Sequence, residues 1–192
     1  MYLQPDETFQ LERVVAVVHP NRRLVGYHLL WRDDAHGAWL PFTIATDQEV
    51  VWVGLDEAGE PTDLWTYWHG VILHTPWRDR GRPAVDVQWG KHGSMPRHTR
   101  AGDLPLLRSH ATFFALAWVL PDLWLGALER DGPLCFCRGY GRYLTFSTPL
   151  PTADRLDVIA RTATPEPLLR GAFGERFSEK PEWPRGAARG GN

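Results

Sequence analysis

Asp47 and Glu49 stand two residues apart at the head of the run Gln48–Asp56, which continues through Val51, Val53 and Leu55 in the same alternation. Residues two apart on a strand share a face. Two carboxylates therefore meet at the mouth of an apolar face, where they repel each other if both lose water. A shared cation removes the conflict and uses both as oxygen ligands; the alternative is a solvated strand end where arginines pair with them. Residues 57–61, EAGEP, form a turn, and Thr62–Gly70 reads as the partner strand, with Trp65, Tyr67 and His69 on one face. In such a hairpin the end of the second strand lies opposite the start of the first, which brings His69 toward Asp47 and Glu49. Lys91 and His92 lie between Gly90 and Gly93, where the backbone is freely shaped. Asp33 and Asp34 follow directly on the strand Gly26–Trp31.

Four strand ends thus converge on one rim. The expected metal ligands are Asp34, Asp47, Glu49 and His69. His92 and Lys91 are the groups expected to move a proton or steady an anion, and Tyr67, Trp68 and Trp89 are the faces on which a ligand would stack. Carboxylates suit Mg²⁺, Ca²⁺ or Mn²⁺, and added imidazoles shift the preference toward Mn²⁺, Fe²⁺ or Zn²⁺, Zn²⁺ being the poorer match overall. A metal with an open position lowers the pKa of a bound water and makes a nucleophile. Three readings stay open. The first is a metal-dependent hydrolase acting on a small sugar- or phosphate-bearing substrate. The second is a non-catalytic module holding a glycan or lipid head group. The third is a structural or interaction domain whose rim is salt-bridged. Other chemistries lack their motifs: there is no H-E-x-x-H, C-x-x-C or G-x-S-x-G, and the glycines around Arg138–Arg142 lack a strand–loop–helix context.

The elements that must position these residues read mostly as strands. Leu11–His19 and Arg23–Trp31 flank a Pro-Asn-Arg turn and form a first hairpin; Gln48–Asp56 and Thr62–Gly70 form a second. VILHTPW and PAVDVQWG continue the pattern, followed later by PLCFCRGY and RYLTFSTP. His110–Leu120 is a helical apolar run stopped by Pro121, and Asp154–Arg161 is expected to form a second short helix. The fold class is mainly β, an antiparallel sandwich with one or two peripheral helices. Residues 1–174 form the domain, and residues 175–192, rich in Pro, Gly and Arg, form a loosely ordered tail.

Composition narrows the partners. The chain has 192 residues and a formal net charge of −2, which is no electrostatic footprint for nucleic acid. The N-terminal segment carries Asp6, Glu7 and Glu12 and a short apolar run, so a cytoplasmic location is expected, and no stretch reaches the roughly 20 apolar residues of a membrane span. Cys135 and Cys137, two apart on one expected strand face, are read as reduced thiols. Ten tryptophans are the compositional oddity, and six of them (Trp31, Trp39, Trp65, Trp68, Trp77 and Trp89) fall in or beside the rim segments. At least three are expected in the core. Oligomeric state is not legible.

The motifs also carry a resemblance. Glu49–Asp56 with Gly59 and Pro61, then Trp68-His69, then PAVDVQWGKHGS, is similar to the pattern of the vacuolar-sorting-associated domain family, a distant relation of the necrosis-inducing cytolysins. The similarity spans about residues 26–95 and implies a β-sandwich with a carboxylate-rich cation site. Asp47 and Glu49 match the acidic pair of the cytolysins' G-H-R-H-D-W-E heptapeptide, Asp33 or Asp34 its upstream aspartate, and His92 the later G-x-H. Gln48 replaces the heptapeptide's Trp, and Ile44 and Thr46 stand where it has histidines. A histidine ligand would then have to come from His69 or His92. Membrane lysis is not carried over.

Overall fold

Val14–Val18 and Leu29–Trp31 are continuous apolar runs within the strands Leu11–Val18 and Leu24–Trp31, the pattern of strands covered on both faces. The computed structural model bears this out. It describes residues 1–3, 10–32, 47–68, 70–79, 81–88, 92–99, 103, 148–150, 152 and 155–185, with the side chain of Asp47 outside that set. The elements are β1 (Tyr2–Leu3), β2 (Leu11–Val18), β3 (Leu24–Trp31), β4 (Asp47–Leu55), β5 (Pro61–Trp68), β6 (Val71–Pro76), β7 (Val85–Val87), β8 (Ser94–Pro96), β9 (Thr148–Pro149), β10 (Leu156–Arg161), helix α1 (Glu166–Phe173) and a 3-10 turn, Gly174–Arg176. They build a six-stranded sheet, β10-β2-β3-β4-β5-β6, and a four-stranded sheet, β8-β7-β1-β9. The mainly β, sandwich-like class is as expected, with a parallel component: β10 runs parallel to β2, and β1 parallel to β7.

The larger sheet has an inner and an outer cover. Val14, Leu29, Val51, Val53 and Leu64 meet Leu3, Val85 and Val87 of the smaller sheet. On the opposite face Val15, Val17 and Leu30 receive Leu169 and Phe173 of α1. Leu24, Val50, Trp52 and Trp65 continue that outer face beneath Trp183. Glycine makes room for one of these large rings: Gly26 pairs with Trp52 across the strands, and a Cβ there would stand 3.1 Å from the indole Cδ1. Among the described residues four tryptophans are buried, Trp31, Trp52, Trp65 and Trp68.

Both expected hairpins form. Asp56 shapes the second turn by accepting from the N–H groups of Ala58 and Glu60 at 2.8 Å, and Gly59 takes φ +83° beside it. The helix expected at Asp154–Arg161 is corrected: residues 156–161 are strand β10, with Val158 beside Val15 and Arg161 beside Val18. Pairing with the edge of β2 outweighs local helical preference where Val158 and Ile159 are β-branched. The described helix comes just after, opened by Pro165 and closed by Gly174 at φ +60°. Residues 175–185, expected as the start of a loose tail, are tied to the outer face. The Ser178 N–H donates to Gln48 Oε1 at 2.9 Å, and Trp52 Nε1 donates to the Glu182 carbonyl at 3.0 Å. Arg176 bonds Glu12 and the Trp31 and Arg32 carbonyls. His110–Leu120, both cysteines and residues 186–192 lie outside the described residues. Among the described residues no helix is long and apolar enough to cross a membrane.

If α1 is an essential cover of the sheet, truncating its buried ring is costly. Phe173→Ala is expected to lower unfolding free energy by about 3–4 kcal/mol. Ile159→Ala, at a side chain 69% exposed, should change it by less than about 0.5 kcal/mol. Urea denaturation of the two variants beside the parent protein measures both.

Candidate functional site

The rim expected to hold a cation is the Trp31–Asp47 end of the β3–β4 pair, where those two residues are in register. Glu49 faces inward with Val51 and Val53, as the alternation requires, and is 5% exposed. Its Oε1 lies 3.5 Å from Lys180 Nζ, and the same ammonium sits 4.8 Å from the centre of the Tyr67 ring. A cation provided by the chain itself therefore stands at this carboxylate. Asp34, His69, Lys91, Trp89 and the side chain of Asp47 fall outside the described residues. Among the described residues no group of three His, Cys, Asp or Glu side chains could hold one metal ion.

His92 is fully buried. Its ring stacks on Trp31 with centroids 4.1 Å apart and planes 6° from parallel. The backbone turn that places it is tight: the His92 N–H donates to the Gln88 carbonyl and the Gln88 N–H to the Gly93 carbonyl, each at 3.0 Å, with His92 at φ +50°. Trp68 is 1% exposed and packs with Met95, so its ring is a wall of the core. Tyr67, half-buried beneath Lys180, is the stacking surface nearest solvent among those described.

A second place was not visible in the sequence. Between the sheets, toward the β4–β5 turn, lies a cavity of about 350 Å³. Val14, Leu29, Val51, Val53, Leu55, Leu64 and Val85 supply apolar walls, Tyr27 and Thr152 bring hydroxyl groups, and Arg82 is the charged side chain among the lining residues. Arg82 is exposed, so the cavity reaches solvent at its side. Among the described residues no carboxylate side chain lines it. Nothing in residue spacing marks such a space, because it arises from valines where larger side chains would have closed it.

The outer face holds a third polar feature. His28 is 1% exposed, and among the described residues neither ring nitrogen has a hydrogen-bond partner. With Gln48, Glu166, Leu169, Phe177, Lys180 and Glu182 it lines a cavity of about 10 Å³, the size of one water molecule. Burial pushes the His28 pKa from 6.5 down to about 3. A histidine inside an apolar strand is the one sequence signal that marks this place. Glu12 is also perturbed, held below the ordinary carboxylate range by its bond to Arg176. In the pH interval from about 6.5 to 3 the unfolded chain takes up a proton at His28 that the folded chain refuses, so stability falls as pH falls. The loss from this group is about 1.4 kcal/mol per pH unit. Glu12 adds a further loss below the pKa of an unperturbed glutamate, where the unfolded chain again binds the proton first. His28→Leu is expected to remove the first component and leave the second. Urea midpoints of the variant from pH 7 to pH 4 should run parallel to the parent's if His28 is not the group responsible.

Comparison with known proteins gives a distant likeness. No family profile matches the chain, and no solved structure matches it. The chain is 24% identical over 161 residues to an NAD-dependent protein deacylase of Mycobacterium leprae (strain TN), an alignment covering 72% of this chain and 65% of that protein. The chain thus spans about 65% of the length of the curated relative it matches. The resemblance to the vacuolar-sorting-associated domain family is overturned: no profile of that or another family matches, and the relative found carries a different name.

Proposed function

We propose that this protein is a β-sandwich binding module whose cavity between the sheets takes a small, largely apolar molecule. The observation that carries the reading is the cavity itself, about 350 Å³ and walled by aliphatic side chains from both sheets. Its volume falls in the range of small-molecule sites, which are concave, mostly apolar and few per protein. Apolar volume left without partner atoms forfeits packing worth on the order of several kcal/mol. An occupant of matching shape recovers that packing. The cavity is preferred to the rim because apolar side chains of both sheets surround one concave space there, whereas at the rim Lys180 already stands at Glu49.

The activity in the relative's name fits these residues poorly. A dinucleotide such as NAD places its pyrophosphate on free backbone N–H groups where a glycine-rich strand–turn–helix opens. The chain has no G-x-G-x-x-G. The described helix opens with Pro165, Glu166 and Pro167, so two donors are missing, and the Glu166 N–H donates to Glu182 Oε1 at 3.3 Å. Two carboxylates at that end repel a phosphate.

Titration with 1-octanol tests the proposal. Calorimetry is expected to give one site per chain, a Kd on the order of 10⁻⁵–10⁻⁴ M and a negative heat-capacity change. Leu55→Trp and Val53→Phe, each adding volume to the wall, should weaken binding at least about tenfold while leaving the circular dichroism spectrum unchanged. NAD⁺ at millimolar concentration should not move the thermal midpoint. No saturable octanol binding, or an NAD⁺-induced rise in that midpoint, would defeat the reading.

A further inference from the structure

The cavity's charge points to a more specific occupant, an inference that rests on the binding-module reading above. We propose that the ligand is a small amphipathic monocarboxylate, its chain between the sheets and its carboxylate on Arg82. Three observations converge. The inner walls are aliphatic, so the buried part of the ligand is hydrocarbon. Among the described residues Arg82 is the cationic side chain that lines the cavity, no carboxylate side chain lines it, and none makes a hydrogen bond or ion pair with Arg82. Its neighbour in sequence Pro83 also lines the cavity, and Val85 forms part of the inner wall, so the guanidinium stands on the stretch that bounds the mouth.

Arginine suits this role. Its planar guanidinium offers paired N–H donors that match the two oxygens of a carboxylate, and it stays charged throughout the physiological range. Other arginines are committed elsewhere: Arg13 to Asp157, Arg23 to Glu57, Arg97 to Asp86, Arg170 to Glu166 and Arg176 to Glu12. Size sets the chain length. At about 30 Å³ per non-hydrogen atom, the liquid-water share, the cavity has room for about a dozen such atoms. Octanoate has ten. A monocarboxylate with a compact hydrocarbon body of similar size fits equally; a dicarboxylate does not, since its second charge would enter the aliphatic walls.

Octanoate and 1-octanol, compared on the same protein, separate the charge from the cavity. The parent protein is expected to bind octanoate about five- to tenfold more tightly than octanol at low salt, the modest end for a charged hydrogen bond because Arg82 is exposed. Arg82→Gln should bring the two affinities together by weakening octanoate, and 0.5 M NaCl should shrink the preference in the parent. Arg82→Lys should retain part of it. Equal binding of acid and alcohol by the parent, or a preference that survives Arg82→Gln, overturns the carboxylate inference and leaves the cavity reading standing. Failure of both ligands to bind overturns the two together.

Discussion

The middle strands of the larger sheet are apolar on both sides, and everything else in the molecule answers that constraint. Val14 and Val15, or Leu29 and Leu30, are neighbours in sequence that face opposite ways and are all buried. A sheet of this kind cannot leave either face in water, because each buried Val or Leu contributes about 1.5–3 kcal/mol that exposure would forfeit. Two covers are therefore obligatory. The smaller sheet provides one. Helix α1 and the chain that follows it provide the other, which is why a sequence so poor in aliphatics after Glu175 still holds a fixed course to Arg185.

The outer cover also has to satisfy polar groups. His28 and Gln48 lie on the face that α1 and its continuation enclose, and a buried amide or imidazole is costly unless it is bonded. The Ser178 N–H reaches Gln48, and Lys180 and Glu182 come to the small cavity beside His28. Lys180 serves the inner side too, since it stands at Glu49. One short stretch thus closes an apolar face and brings charge to a strand end.

The hairpins were legible because their signals are local: β-branched runs, a Pro-Asn-Arg turn, and Gly59 with Asp56 at a tight reversal. The inward parity of Glu49 was legible for the same reason, since alternation needs no knowledge of a partner. Strand β10 was not, because its identity depends on β2, more than a hundred residues earlier. Lys180 at Glu49 was hidden by the same distance in sequence. The contact of His92 was hidden in another way: flanking glycine gives freedom of direction, and nothing local says that the ring lies on Trp31. The 350 Å³ cavity had no signal at all, for it is defined by what several strands jointly fail to fill.

That failure has a pattern along the inner face. At the Glu49 end the space between the sheets is filled by wide groups, with Trp31 stacked on His92 and Trp68 against Met95. Toward the β4–β5 turn the same strands carry Val51, Val53 and Leu55, and the strands opposite are two or three residues long. Side-chain volume therefore falls along the sandwich while the strand backbones stay continuous, so the gap opens at the valine end. Two rings at one end and branched aliphatics at the other are not interchangeable: an indole set among the valines would close the space, and valines at the rim would leave His92 without the ring it lies on. Trp31 and Trp68 at the rim end thus mark where the sandwich is solid, and the valines at the other end mark where it can receive something.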